Sequence, residues 1–333
     1  MKMMTPLSGA APPPMTTIIL VVAAAFSFAP ACCLCPELRT KSGLPVCRYA
    51  LGGAARSHQT SSLPLKYSDL LLGNEHCGAP FYFYYNPHRY PDFIRGVVSS
   101  FSGEGARRKR EDVFIASGGC DRCSASLDTR LEDALKHSGS YLDCFVLEYV
   151  CPDELGGGGK LGRELQDAIR HAQTFVEQGK VRYLAASTHS HEVGRSLALA
   201  NDFDALMLRY NMSHRKAAES LSLPVAKERG TPVIAFTTTR WNRLQQESPA
   251  GMTPPTTSDC LKFALQHEAI EMVLHSARDE DELDDSLLPL FDSMKKKHWV
   301  SDEEHMRWAT YGSDEKGWNI EDDFDEYPHE MEL

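Results

Sequence analysis

The chain has 333 residues, 42% of them apolar and 24% charged, with a formal net charge of −11. This is the balance of a globular protein long enough for one large domain or two ordinary ones, and the excess of acid argues against non-specific nucleic-acid binding. Ten cysteines in a chain of this length are not a disulfide framework; they fit a compartment where thiols stay reduced.

The first sixty residues read apart from the rest. Ile18 to Phe26 is an unbroken apolar run, too short for a bilayer span of roughly twenty residues. Behind Lys2 it fits the h-region of a signal peptide. The segment that follows holds Glu37 as its one acid and is rich in Ser, Ala and Arg, as transit peptides are. At the junction, Ala25-Phe-Ser-Phe-Ala-Pro30 resembles the cleavage motif of bipartite leaders that direct proteins into secondary plastids. Residues 1–60 are therefore expected to be a leader outside the fold. The expected destination is the plastid, with the secretory pathway as the alternative, and the mature form is expected to have no membrane segment.

Residues 61–298 carry an alternating pattern. Asp69 to Gly73 is expected as a first strand, and the aromatic run Phe81 to Tyr85 as a second. Pro91 opens a helix with Phe93, Ile94, Val97 and Val98 on one face. Arg107 to Arg110 reads as a solvated basic loop. Strands are expected at 112–117 and 142–149, with a helix between them whose buried stripe is Leu127, Leu131, Ala134 and Leu135. A glycine loop at 156–159 leads to a helix over 160–178, and Gly179 can stop it in the left-handed conformation. The run Val181 to Ala186 is apolar on both faces in its middle, as in a covered parallel sheet. Further strands are expected at 205–208, 232–236 and 270–274. Helices are expected at 193–199, at 216–228 with an interruption at Pro224, from a Thr257-Ser-Asp cap, and at 280–290. Strand and helix alternate without hairpin signals over about 230 residues, which points to a (β/α)8 TIM barrel.

Residues 299–333 form an acidic tail. From 301 onward, twelve Asp or Glu stand against Arg307 and Lys316. Trp308, Trp318, Phe324 and Tyr327 lie among the carboxylates. A short helix is expected over 300–311 and no fixed structure after it.

Several segments, in order, carry a family resemblance: Arg130-Leu-Glu-Asp-Ala-Leu with Tyr141 to Leu147, Gly179-Lys-Val-Arg with Ser187, Arg209-Tyr-Asn, Pro232 to Thr237, and Val273 to Leu287. Together, from about Leu65 to about Phe291, they resemble the aldo/keto reductase family. The resemblance implies an oxidoreductase using NADP(H), with a nicotinamide nucleotide and a small aldehyde, ketone or enone as partners. The family works with a Tyr proton donor, a Lys that lowers its pKa, a His and an Asp. Here those positions fall at Tyr90, Gly118, Glu148 and Tyr85. Relatives that reduce carbon–carbon double bonds carry Glu at the His position. Tyr90 and Glu148 are thus the catalytic candidates. By the same resemblance Ser187 and Thr188 hold the nicotinamide carboxamide, Phe236 stacks on the ring, and Thr237 lines the pyrophosphate. Ser276 and Arg278 meet the 2′-phosphate, and Asp285 and Ser286 lie at the adenine end. A tetrad this depleted leaves open a second reading, a catalytically inactive barrel that binds a nucleotide or a protein. Cys120-Asp-Arg-Cys123 reads as two loop cysteines. A redox pair, or a metal site with His189 and His191, is the alternative, and no metal is assigned.

Overall fold

The computed structural model describes residues 34–53, 59–74, 77–85, 87–246, 251–294 and 299–313. A hairpin comes first, β1 (Leu34–Arg39) against β2 (Pro45–Gly53). The chain continues through α1 (Ser62–Leu72), β3 (Ala79–Tyr84), α2 (Pro91–Ser99), β4 (Phe114–Gly119), α3 (Ser124–Ser138), β5 (Leu142–Leu147), α4 (Arg163–Glu177), β6 (Val181–Thr188), α5 (His191–Ala200) and β7 (Ala205–Arg209). Then come α6 (Arg215–Ala217), a π-helical turn (Ala218–Ser222), α7 (Leu223–Arg229), β8 (Val233–Phe236), α8 (Arg243–Gln246), α9 (Thr257–Leu265), β9 (Ile270–His275), α10 (Glu280–Met294) and α11 (Asp302–Tyr311). Strands β2 to β9 pair in order and in parallel, and β9 returns to β2 through Tyr49↔Val273, Ala50↔Leu274 and Leu51↔His275. The result is a closed (β/α)8 barrel. Among the described residues no helix is long and apolar enough to cross a membrane.

The period of two along each strand sorts the side chains. Phe81, Phe83, Phe114, Ala116, Cys144, Val146, Ala205 and Met207 fill the barrel interior. The alternate residues Tyr82, Tyr84, Ile115, Phe145 and Leu147 face outward and pack with Leu127, Leu131, Leu165 and Phe175 of the helices. Burial of each large apolar side chain contributes about 1.5–3 kcal/mol, so the two layers fix which way every strand faces. β1 closes the amino-terminal end: Cys35 and Leu38 join the interior cluster, and Arg182 donates to the carbonyls of Arg39 and Thr40 at 2.7 and 3.1 Å.

Four expectations need correction here. Residues 1–60 are not all outside the fold, because β2 lies between β3 and β9 and the barrel cannot close without it. Its Val46, Cys47, Tyr49, Ala50 and Leu51 are buried. The apolar run at 18–26 and the cleavage motif lie outside the described residues. Asp69 to Gly73 is not a strand but the last turn of α1 and its cap; Leu63, Tyr67 and Leu71 recur at helical spacing and are buried. The basic loop is not merely solvated. Arg110 Nη2 reaches Asp143 Oδ2 at 2.7 Å, with Arg182 Nη1 on the other oxygen at 2.8 Å and the Ile115 N–H at 3.1 Å. The fold also continues past 298: Trp299, Trp308 and Tyr311 are buried, and the Tyr311 hydroxyl donates to the Leu244 carbonyl at 2.7 Å. Trp318, Phe324 and Tyr327 lie outside the described residues.

Candidate active site at the carboxyl ends of the strands

In an α/β barrel the loops at the carboxyl ends of the strands hold ligands. Glu148 stands at that end of β5. It follows Cys144 and Val146 in the period of two, and both fill the interior. Its peptide N–H donates to the Gly119 carbonyl at 2.9 Å, which carries the β4–β5 ladder one residue further. The residue is 5% exposed, and its Oε1 makes no hydrogen bond among the described residues. Burial raises its pKa from 4.5 to about 8, against a weaker opposing pull from Arg130 and Arg122. Glu148 is therefore a neutral carboxylic acid at pH 7, an O–H donor rather than an anion.

The next residue turns the chain over the barrel mouth. Tyr149 has φ 52, a conformation that costs a bulky residue energy and marks sites where surrounding structure imposes it. Its N–H donates to Ser187 Oγ at 3.0 Å, and the Val150 N–H donates to the Ser187 carbonyl at 2.8 Å. The Tyr149 ring stacks on His189, with centroids 5.8 Å apart and planes 6° apart, and on Tyr85 at 6.3 Å. The His189 edge meets Phe236 at 4.9 Å. An aromatic row thus runs from the end of β3 to the end of β8. Thr237 and Arg240, after β8, share the left-handed backbone.

Cationic groups gather at the β7 and β8 ends. Arg209 follows Ala205 and Met207 on the interior face and is 2% exposed, and Arg240 is buried too. His191 Nδ1 lies 3.0 Å from Ser222 Oγ. Burial, with Arg209 and His214 nearby, pushes its pKa down to about 3, so it is neutral. Asn211 ties the two loops together. Its Oδ1 accepts from the Ser213 and His214 N–H groups at 2.9 and 3.1 Å, and its Nδ2 donates to the Thr237 carbonyl at 2.9 Å.

The expected site residues part company here. Ser187 lies on the mouth face of β6, two residues beyond the interior Ala185. Phe236 is in the interior cluster with its ring against His189. Both therefore face the barrel mouth, as the resemblance implies. Thr188 does not: it is buried on the opposite parity and donates to the Val150 carbonyl at 2.7 Å. Tyr90 packs in the outer layer with Phe93 and Ile94, not with the interior residues. It immediately precedes α2, whose apolar face draws it there. Thr237 offers a backbone carbonyl already taken by Asn211. Ser276 sits at the β2–β9 seam, where a Cβ on Gly52 would lie 2.6 Å from its Oγ.

The adenine half fits poorly. Arg278 is exposed, but its Nε and its backbone N–H both donate to Glu282 Oε2 at 2.8 Å. The segment Asp279 to Asp285 holds six carboxylates. Asp285 is exposed among them, and Ser286 is buried, donating to the Leu283 carbonyl at 3.0 Å, so it does not reach a ligand. Gly118 shares the interior face with Val146, and a Cβ there would lie 1.8 Å from the Val146 carbonyl oxygen. No lysine can stand at that position. His189 and His191 have separate partners, and Cys120 and Cys123 are exposed free thiols. The sequence does not single out Tyr149 or Arg240 as site residues, offers Arg209 only within a segment of the resemblance, and offers His189 only as a metal ligand. The two-residue step from Val146 to Glu148, and from Met207 to Arg209, was the signal available. A separate groove of about 1000 Å³ between α1 and α10, lined by Lys66, Leu72 and Leu288 among others, lies in the outer helical layer and is not this mouth.

No family model matches the chain, and no curated protein matches it in sequence. Solved structures do. The holo form of the aldo-keto reductase AKR11C1 from Bacillus halodurans matches with a TM-score of 0.58 and 14% identity, over 80% of this chain and 92% of that one. Aldose reductase from Giardia lamblia matches with a TM-score of 0.55 and 13% identity, over 83% and 93%. The chain thus has the (β/α)8 fold seen in aldo-keto reductases.

Proposed function

We propose that the chain is a nicotinamide-dependent oxidoreductase of aldo-keto reductase type that reduces an aldehyde, ketone or enone, with Glu148 as its proton donor. The observation that carries this reading is the carboxyl buried at the mouth with its Oε1 unbonded among the described residues, where burial raises its pKa. A neutral acid donates a hydrogen bond to a substrate oxygen and releases its proton as negative charge builds there. The dinucleotide, when bound, supplies hydride. Ser187 and Phe236 hold its nicotinamide end, and the aromatic row from Tyr85 to Phe236 excludes water from the reacting face. NADP(H) requires Arg278 to exchange Glu282 for the 2′-phosphate, whereas NADH makes no such demand. A leader ending before Leu34 would keep the apolar run and the cleavage motif, whereas most of the Ser-, Ala- and Arg-rich stretch that suggested a plastid lies in the hairpin of β1 and β2. Fusion of residues 1–33 to a fluorescent protein tests that leader.

The test is a screen of aldehydes, ketones and enones with NADH and NADPH, applied to wild type, Glu148→Gln and Tyr90→Phe. General acid catalysis contributes roughly 10²–10⁴-fold. Glu148→Gln should therefore lose at least about a hundredfold in kcat, and Tyr90→Phe should stay near wild type. Reduction by wild type should fall above about pH 8 as the acid ionises. Loss of activity in Tyr90→Phe but not Glu148→Gln would reverse the assignment. No nucleotide binding at millimolar concentration would leave the second reading, an inactive barrel that binds a partner. That reading is favoured by the closed Gly118 position and the engaged Arg278.

A further inference from the structure

The other end of the barrel carries a separate set of groups. β1 pairs with the start of β2 through Val46 and Cys47, and β9 pairs with its middle from Tyr49 to Leu51, so β1 and β9 follow one another along β2. Cys35 and Glu37 are two apart on β1, where the register with β2 shifts. Glu271 is the second residue of β9. The Cys35 Sγ and one carboxylate oxygen from each Glu all lie within 4.8 Å of one another.

We propose that Cys35, Glu37 and Glu271 hold a divalent transition-metal ion, zinc by preference, that staples β1 to β9 beneath the barrel seam. The first support is distance. Zinc bonds of about 2.3 Å to sulfur and about 2.1 Å to oxygen at a tetrahedral angle place the two ligand atoms ~3.6 Å apart. The Cys35 Sγ stands 3.6 Å from Glu37 Oε2. The second support is charge. Arg48 is fixed at the site by the Glu271 and Ile270 carbonyls, both at 2.6 Å, and its Nη2 lies 3.9 Å from Glu271 Oε2. One thiolate, two carboxylates, one guanidinium and one divalent cation sum to zero. Binding therefore exchanges one thiol proton for one metal ion, and the proton leaves to solvent. Glu37 is exposed, so water can complete the fourth position. A thiolate in the set excludes calcium and magnesium, which take oxygen alone.

The site is independent of the reaction proposed at the mouth. Its test uses the full, reduced chain with Cys120→Ser and Cys123→Ser to remove the exposed thiol pair. After chelator treatment it is titrated with Co2+ and then Zn2+. The expected result is one equivalent bound with a thiolate-to-cobalt charge-transfer band, displacement by zinc, and one proton released. Cys35→Ser should abolish the band. Glu37→Gln, a conservative change of an exposed side chain that leaves the core intact, should weaken the affinity at least tenfold. Absence of the band at submillimolar Co2+, or a band unchanged in Glu37→Gln, would overturn the proposal.

Discussion

Glu148→Gln tests the state of the mouth carboxyl without any knowledge of substrate. The folded protein holds this group at a pKa of about 8, against 4.5 for an ordinary carboxyl in the unfolded chain. Between those values the unfolded state carries a carboxylate and the folded state an acid, so the folded state binds more protons. Stability is then fully present below pH 4.5 and falls as pH rises, by about 1.4 kcal/mol per unit across the window. The whole window amounts to ~5 kcal/mol, and the part between pH 5 and pH 8 to ~3–4 kcal/mol. That is a large share of a typical net stability of about 5–15 kcal/mol. Glutamine has nearly the same shape and cannot ionise, so the variant lacks this slope while keeping all the others. Urea unfolding of both proteins at pH 5, 6.5 and 8 isolates the difference. The glutamine variant should gain on wild type by ~3–4 kcal/mol from pH 5 to pH 8. Parallel profiles, with a gap constant to within ~1 kcal/mol, would refute the reasoning: Glu148 would then be ionised in the folded protein and no proton donor at neutral pH.

Three further outcomes are expected. Asp143→Ala leaves Arg110 and Arg182 without their buried partner and should cost ~3–5 kcal/mol in chemical denaturation; a loss below ~1 kcal/mol would show the network to be solvated. Gly118→Ala drives a methyl group into the Val146 carbonyl. It should cost at least ~3 kcal/mol or give insoluble protein, since backbone cannot yield as a side chain does, and a well-folded Gly118→Lys protein would contradict the strand geometry. Glu282→Gln frees Arg278 from its ion pair and should tighten NADPH relative to NADH about tenfold or more, because a charge-assisted hydrogen bond contributes ~1.5–3 kcal/mol. Arg278→Ala should remove that gain; an unchanged ratio in titrations of both variants would take Arg278 out of the cofactor site.

Local periodicity made the middle of the fold legible. α3, α4, β5 and β6 show their stripes within a dozen residues, and the structure has them at 124–138, 163–177, 142–147 and 181–188. β2 was not legible, because its identity comes from distant partners. Arg48 bonds carbonyls more than two hundred residues away, and its Gly52-Gly53 end reads as a loop until β3 and β9 are placed beside it. Leu70 to Leu72 looked like a strand because an apolar triplet carries no period; only Leu63 and Tyr67 reveal the helix. At the site, Glu148 was legible as a carboxylate ending an apolar strand. Tyr90 depended on where a proline-led turn sends the chain, and composition does not encode that. The Arg278–Glu282 pair has helical i,i+4 spacing, and its consequence for the 2′-phosphate was available from the sequence.

Glycine at 118 and the raised pKa of Glu148 belong together. An ammonium on the interior face at position 118 would neighbour Val146, and so lie next to Glu148 at the end of the same strand. A cation there favours the carboxylate and lowers its pKa. With glycine at 118, and with β4 and β5 too close there for any side chain, the remaining cations are Arg122 and Arg130, whose pull is weaker than the cost of burial. Burial then decides the protonation state, and the carboxyl keeps its proton. In a tyrosine–lysine pair the ammonium makes a phenol acidic enough to deliver its proton. A carboxyl needs no such help, and burial at the mouth raises its pKa toward neutrality. Glycine at 118 thus leaves Glu148 the protonation state that the proposed donor role requires.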